Sequence, residues 1–126
     1  MENRLVAITL LLICGPVAAA WTSVGEDPRG TTYADPATIE KGTATVKMWS
    51  ILDYKTFQRM VEVGYFSQKS HNEYDCAGNR MRGLHTVLHA EPMGAGAVIY
   101  EDDSVHEWEA VSPGSVQEGL LKAACR

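Results

Sequence analysis

The segment TATVKMWSILDY, residues 43–54, is the longest uninterrupted strand pattern in the chain. Alternate residues of a β-strand point to opposite faces, so Met48 and Leu52 share one face while Trp49 and Ile51 share the other. Both faces therefore carry large apolar side chains. This pattern predicts a central strand that is covered on both sides over part of its length.

Shorter alternating segments flank this strand and are broken by Gly, Pro, Asn and Asp, which is typical of an antiparallel sheet. The strands are predicted at residues 21–25, 31–34, 67–76, 80–90, 97–101 and 106–111. Turns are predicted at residues 26–30, 35–36, 38–42, 77–79 and 92–96. Residues 57–66 are interpreted as a loop that contains one strand.

The C-terminal residues carry a helix pattern. Ser115 is expected to cap the helix, and Glu118 three residues later completes a capping box. One side of the helix is apolar, formed by Val116, Leu120, Ala123 and Ala124. The sequence thus predicts an α+β fold, with an antiparallel sheet of five to six strands and one C-terminal α-helix on a sheet face.

Residues 1–20 are interpreted as a secretory signal peptide. Their apolar run is too short to span a bilayer comfortably, and Ala18 and Ala20 form the small-x-small pattern of a cleavage site. Cleavage is expected after Ala20, which leaves a single domain over residues 21–126 without a membrane span. The alternatives are an uncleaved anchor and a lipid on Cys14, which Ile13 disfavours because lipidation needs a small residue there.

Two cysteines, Cys76 and Cys125, remain after the predicted cleavage. Exported chains usually pair their cysteines because that compartment is oxidising, so we predict a disulfide between them. Tyr74 and Cys76 alternate onto the same face, and the bridge would tether the helix to it. The alternative is a free catalytic thiol, but neither cysteine lies in a CxxC motif or beside a histidine.

The composition narrows the function classes. The chain has 126 residues, 11 of them basic and 16 acidic, with a net charge of −5. This length fits one domain and is too short for a two-lobed cofactor oxidoreductase. The acidic balance disfavours nucleic-acid binding and a polybasic membrane-surface protein, which both need a basic face.

Candidate metal sites have weak patterns. His85 and His89 form an HxxxH pair, but in a strand the two residues lie roughly 13 Å apart, too far for one zinc ion. An acidic cluster lacks the glycine and distal glutamate of a calcium loop and is expected to be solvated; it comprises Glu101, Asp102, Asp103, Glu107 and Glu109.

Candidate catalytic groups are no stronger. His71 and Asp75 near Cys76 suggest a Cys-His-Asp set, but the predicted disulfide removes the thiol.

Arg80 and Arg82, with Lys69 expected nearby across the hairpin, form a basic spot that is either a solubilising face or a contact for an acidic partner. The strand pattern is expected to scatter the four histidines, and no catalytic, metal-binding or cofactor-binding residue is predicted.

An ordered set of residues covers nearly all of the mature chain: Trp21, residues 30–39, Trp49, Asp53-Tyr54, Ser67, residues 74–76, Arg80, Arg82, Trp108, residues 112–115 and Cys125. This set resembles the surface-adhesin protein E family of Gram-negative bacteria. The resemblance implies an antiparallel sheet with a disulfide-tethered C-terminal helix in a surface or periplasmic protein. The type member is an adhesin that binds host matrix and serum proteins.

The sequence therefore favours an exported, non-enzymatic, adhesin-like protein-binding domain of the cell envelope. A partner strand would add to an exposed sheet face or edge. The alternatives are a small periplasmic metal-binding or enzymatic domain that uses the histidines and acidic residues, and an accessory domain without a ligand.

Overall fold

The computed structural model describes residues 20–126, so the predicted signal peptide lies outside the described residues except for Ala20. The strands are β1 Thr22–Asp27, β2 Gly30–Lys41, β3 Val46–Met60, β4 Val63–Asp75, β5 Arg80–His89, β6 Val98–Asp102 and β7 Glu109–Ala110. A 3-10 turn spans Pro92–Gly94, and helix α1 spans Val116–Ala124.

The sheet is an antiparallel meander in the order β1-β2-β3-β4-β5-β6. The edge of β5 that faces away from β4 pairs with two strands. Thr86 to His89 pair with β6, and Arg80 and Met81 pair with β7. Near the centre, Ser50 of β3 lies opposite Ala34 of β2 and Ser70 of β4. The predicted antiparallel sheet is confirmed, and the strand predicted at residues 106–111 is the two-residue β7.

Helix α1 packs against β1, β2 and β3 on one sheet face. Its buried residues form the main core together with strand residues beneath them and Val111 of the segment after β7: Ala34, Met48, Tyr74, Val111, Leu120, Leu121, Ala123 and Ala124. A Cβ on Gly119 would come within 2.6 Å of the Val24 carbonyl oxygen, so glycine allows the close approach of the helix to β1.

The helix begins as the sequence predicts, with half of the expected capping box. The Ser115 hydroxyl oxygen accepts a hydrogen bond from the Glu118 backbone N–H at 3.2 Å. The Glu118 carboxylate instead accepts a hydrogen bond from Lys122 Nζ at 3.3 Å. A disulfide between Cys76 and Cys125, with their Cα atoms 5.8 Å apart, ties the end of the helix to the turn after β4.

The opposite sheet face is covered in part by residues 91–96, which connect β5 to β6. Asp53 Oδ1 accepts a hydrogen bond from the Met93 N–H at 2.9 Å, and a Cβ on Gly94 would lie 3.1 Å from Ile51 Cδ1. Ile51 is buried by this cover. Strand β3 is therefore covered on both sides over part of its length, as predicted.

Two predicted boundaries are wrong. Asp35-Pro36 does not end β2, since the strand passes through an irregularity between Asp35 and Glu40 and pairs with β3 again up to Lys41. Within the irregularity the Thr38 hydroxyl donates to the Asp35 carbonyl at 2.7 Å and accepts from the Trp49 N–H at 3.0 Å. The turn predicted at residues 38–42 consequently lies at residues 42–45.

Residues 57–66 are also not a loop with one strand. They complete β3 and begin β4, and Met60 pairs with Val63 across a two-residue turn. The turn residues are Val61 and Glu62, so the turn itself lacks the Gly, Asn or Pro that usually identifies one.

Candidate binding surfaces

A two-stranded arm, residues 56–66, extends beyond the rest of the sheet. Tyr54 is the last residue of β3 that pairs with β2, and Ser67 is the first residue of β4 that pairs with β5. Within the arm, Gln58 pairs with Tyr65 and Met60 with Val63. The arm thus has two unpaired backbone edges, where a further strand can add.

The arm presents apolar side chains to solvent. Phe57 is 51% exposed, Val63 47% and Val61, at the tip, 89%. Phe57 contacts Phe66 edge to face with ring centroids 5.2 Å apart. Val61 has a φ of 53°, a left-handed conformation that is unfavourable for a β-branched residue.

A tryptophan–histidine cluster lies on the sheet face opposite α1. The Trp49 ring stacks on His71 with centroids 4.8 Å apart and contacts His85 at 5.7 Å. Lys69 Nζ lies 5.4 Å from the Trp49 ring centroid, a cation–π distance. His85 Nε2 lies 2.6 Å from Glu101 Oε1. This cluster combines an aromatic platform with titratable groups.

Burial is the main cause that lowers the pKa of His71. Glu40 opposes this shift, while Lys47 and His85 favour it. An imidazole whose pKa is lower in the folded state binds a proton less readily than it does in the unfolded chain. At alkaline pH His71 is neutral in the folded and the unfolded state, so it does not change the free energy of unfolding. In acid it lowers the free energy of unfolding.

We expect the free energy of unfolding to fall as the pH decreases through about 6.5, the ordinary histidine value, because the unfolded chain takes up a proton there first. His71→Gln should make this fall smaller between about pH 7.5 and pH 5.5, as measured by urea denaturation. The carboxyl pKa values of Glu73 and Asp75 are also lowered. Their effect on the free energy of unfolding appears below the ordinary values of 4.5 and 3.8, and so outside this pH window. An equal fall in both proteins would contradict the assignment.

Ser67 anchors residues 91–96 to the sheet. Its buried hydroxyl donates to the Glu91 carbonyl at 2.7 Å and accepts from the Gly94 N–H at 2.8 Å. The Ser67 side chain therefore satisfies both the Glu91 carbonyl and the Gly94 N–H of the connection.

We expect Ser67→Ala to lower the free energy of unfolding by about 1–3 kcal/mol, because it leaves two backbone groups without their partner. Chemical denaturation measures this change. Ser23→Ala, on exposed β1, is the matched control and should stay within about 0.5 kcal/mol of the wild type. A loss no larger than that of the control would show that the hydroxyl does not hold the connection.

A cleft of about 240 Å³ lies beside α1, between the helix, residues 106–109 and the sheet. Its sheet side carries hydroxyl and carboxamide groups from four neighbouring strands: Thr32, Ser50, Gln68, Ser70, Asn72 and Thr86. The charged residues that line it include Arg29, Arg82, Glu107 and Glu109. The uncharged polar floor adjoins the apolar core that the helix covers.

The model of the surface-adhesin protein E family matches residues 21–126. The chain belongs to the surface-adhesin protein E family. The structure of Haemophilus influenzae protein E is similar over 86% of this chain and 86% of its own, with a TM-score of 0.68 and 13% identity. The structure of crystal form II of that protein is similar over 75% of this chain and 79% of its own, with a TM-score of 0.63 and 14% identity. No curated protein sequence matches the chain.

Protein E from non-typeable Haemophilus influenzae is similar over 82% of this chain and 74% of its own, with a TM-score of 0.62 and 13% identity. At these identities the likeness shows a shared fold. Membership of the surface-adhesin protein E family points to an adhesin-like protein that is on the surface or secreted. Over residues 20–126, no helix has the length and apolar character needed to cross a membrane.

The candidate metal ligands of this adhesin-E domain are engaged separately. His85 contacts Glu101, whereas His89 Nδ1 lies 3.3 Å from the Gly96 carbonyl oxygen. Asp102 accepts hydrogen bonds from Ser104 and lies 3.3 Å from His106. The described part of the chain contains no group of three or more His, Cys, Asp or Glu residues that could hold a metal ion.

The histidines are less scattered than the sequence predicts, since the pairing of β4 with β5 sets His71 opposite His85. The Cys-His-Asp interpretation does not fit the structure. Cys76 is in the disulfide, His71 stacks on Trp49, and Asp75 accepts a hydrogen bond from Arg80 at 2.8 Å.

The positive charge of the basic spot is partly neutralised by neighbouring carboxylates. Arg80 pairs with Asp75 at 2.8 Å and Arg82 with Glu73 at 2.6 Å. Both guanidinium groups also lie over the Trp108 ring, at 4.7 and 4.5 Å from its centroid. The expectation that Lys69 joins them is wrong, because Lys69 lies opposite Val87, farther along β5.

Proposed function

We propose that this chain is an exported, non-enzymatic domain that binds a protein partner in the cell envelope or outside the cell, and that the arm makes the contact. The observation that carries the proposal is the exposure of Phe57, Val61 and Val63 on a hairpin with two unpaired edges. Family membership supports an adhesin-like role, since the family is described as a surface adhesin.

The energetics of the arm support a partner. Two-stranded hairpins are marginally stable in water, and exposed apolar strand edges promote unwanted association. The exposure of these groups on an arm beyond the rest of the sheet is explained if a partner strand pairs with the arm and buries its apolar side chains. Backbone pairing would supply affinity, and the pockets that receive alternate side chains would supply specificity.

The proposed location follows from the N-terminal sequence. We propose cleavage after Ala20, and the match of the family model from Trp21 onward supports this boundary. The mature chain would then be the single domain of residues 21–126. Edman sequencing or intact mass of the protein from its own cells tests the boundary, and a lipid mass on Cys14 would overturn it.

Site-specific crosslinking tests the arm as the contact. A photoreactive amino acid at Val61 should give a discrete covalent adduct with an envelope or extracellular protein in cells that produce the full chain. The matched control is Val105, an exposed valine outside the arm. Absence of an adduct from Phe57, Val61 and Val63, or the same adducts from Val105, would contradict the proposal.

Val61→Gly separates binding from folding. Glycine adopts a positive φ without the steric penalty of valine, about 1–2 kcal/mol, although its greater unfolded-state entropy offsets part of the gain. We therefore expect a free energy of unfolding equal to or higher than that of the wild type by urea denaturation. Partner adducts captured from Phe57 should weaken in this variant, and a destabilised variant would contradict the strained turn.

The alternative of a metal-binding or enzymatic domain requires several titratable groups at one point. His71 and His85 meet on the sheet face, but one stacks on Trp49 and the other contacts Glu101. This arrangement fits an aromatic contact surface better than a reaction centre. A catalytic or metal-dependent activity abolished by His71→Gln would favour the alternative.

A further inference from the structure

We propose that the cleft beside α1 binds one neutral sugar ring. This inference is independent of the arm, since the cleft lies on the sheet face that carries the helix. A sheet face beneath a helix is ordinarily apolar, and here it changes from Met48 and Tyr74 in the core to uncharged polar residues within the cleft.

The floor of the cleft has unused hydrogen-bonding capacity. Gln68 Nε2 donates to Ser70 Oγ at 3.3 Å, and Ser50 Oγ lies 3.5 Å from the Ser70 carbonyl oxygen. Asn72 Nδ2 lies 3.4 Å from the Tyr74 hydroxyl oxygen. These distances exceed the usual range, so the bonds are weak. The carboxamide N–H groups can donate shorter bonds to a ligand, and the hydroxyls can donate or accept them.

The charges around the cleft disfavour an anionic ligand, since Glu107 and Glu109 line it as exposed carboxylates. Arg29 is held by Asp27 at 2.7 Å, and Arg82 is held by Glu73 at 2.6 Å, so neither guanidinium group is free for an anion. The polar floor residues themselves carry no charge. A ligand rich in hydroxyl groups satisfies donors and acceptors together without the cost of burying a charge.

The remaining walls and the volume suit a single ring. Leu52, Met81 and Leu120 supply apolar surface that can contact the C–H face of a sugar. A volume of about 240 Å³ is smaller than that of sites for drug-sized molecules, roughly 300–1,000 Å³. The ligand is therefore a monosaccharide or one terminal ring of a glycan, with the rest of the glycan outside the cleft.

Two-dimensional NMR titration of the mature protein tests the proposal, with glucose, N-acetylglucosamine and their trimers as the probes. We expect saturable shifts of the Ser70, Asn72 and Thr86 amide signals at millimolar sugar. Equal affinity for ring and trimer would indicate a free monosaccharide, and tighter binding of a trimer would indicate a glycan end. No saturable shift with any probe, or shifts only outside the cleft, would overturn the proposal.

Substitutions in the floor link the binding to the cleft. Thr86→Val and Ser70→Ala each remove one hydroxyl and should weaken binding about fivefold. Thr43→Val, in the exposed turn before β3, is the matched control and should bind as the wild type does. If a floor variant unfolds, Gln117→Trp on the outer wall should still block binding. Unchanged binding in the folded variants would refute the assignment.

Discussion

Replacing Cys76 and Cys125 together with alanine is expected to lower the free energy of unfolding by about 4 kcal/mol. The bridge closes a loop over 49 positions, and a crosslink of that length strongly restricts the unfolded chain. A domain of this size has a total stability of about 5–15 kcal/mol, so the loss is a large fraction of it. Urea denaturation of oxidised wild type and the double variant measures the difference.

Lys122→Ala is the control for the disulfide experiment. Lys122 lies on the exposed side of α1, so this variant tests whether a change in the helix alone is destabilising. We expect it to lose no more than about 0.5 kcal/mol. Alkylation of both sulfurs in folded, unreduced wild-type protein would contradict the bridge itself.

Met48→Ala is expected to lower the free energy of unfolding by about 2–5 kcal/mol, the second large effect. Met48 is fully buried between Ala34, Tyr74 and the helix, so truncation leaves a cavity that the sheet cannot close. The midpoint of urea denaturation should fall without a change in its slope.

Met93→Ala is the matched control for the core. Met93 lies in the connection over the opposite face and is 36% exposed. The same truncation there should cost within about 0.5 kcal/mol. Similar losses at both positions would show that the main core is not the one that α1 covers.

The sequence predicts the elements whose signals are local. The Ser115 cap, the apolar side of α1 and the turn at residues 77–79 each depend on a few adjacent residues, and the structure confirms all three. The pairing of Cys76 with Cys125 is confirmed as well. It could be predicted because only two of the three cysteines remain after the expected cleavage. Together these features define the antiparallel sheet and the helix tied to it.

The errors occur where the strands are irregular. Asp35-Pro36 carries a strong signal for the end of a strand, but the Thr38 side chain takes over the backbone partners and β2 continues. The arm was missed because Val61 adopts a turn conformation that glycine normally provides. In both cases contacts with the neighbouring strand override the local preference.

The tryptophan–histidine cluster depends on a one-residue shift. Counting back from the pairing of Asp75 with Arg80 places Leu84 opposite His71, whereas the irregularity between His71 and Asn72 places His85 there. No local pattern identifies that shift. The polar cleft was missed for a similar reason, since its residues come from four strands and meet only when the sheet forms.

The meander has a consequence for biosynthesis. Each strand from β2 to β6 pairs with the strand made just before it, so the sheet can assemble progressively as the polypeptide emerges. The segment that shields Met48 and Tyr74 is synthesised last. Until then the nascent sheet exposes an apolar face. A product truncated before Val116 would keep that face exposed and would need a holdase chaperone to avoid aggregation.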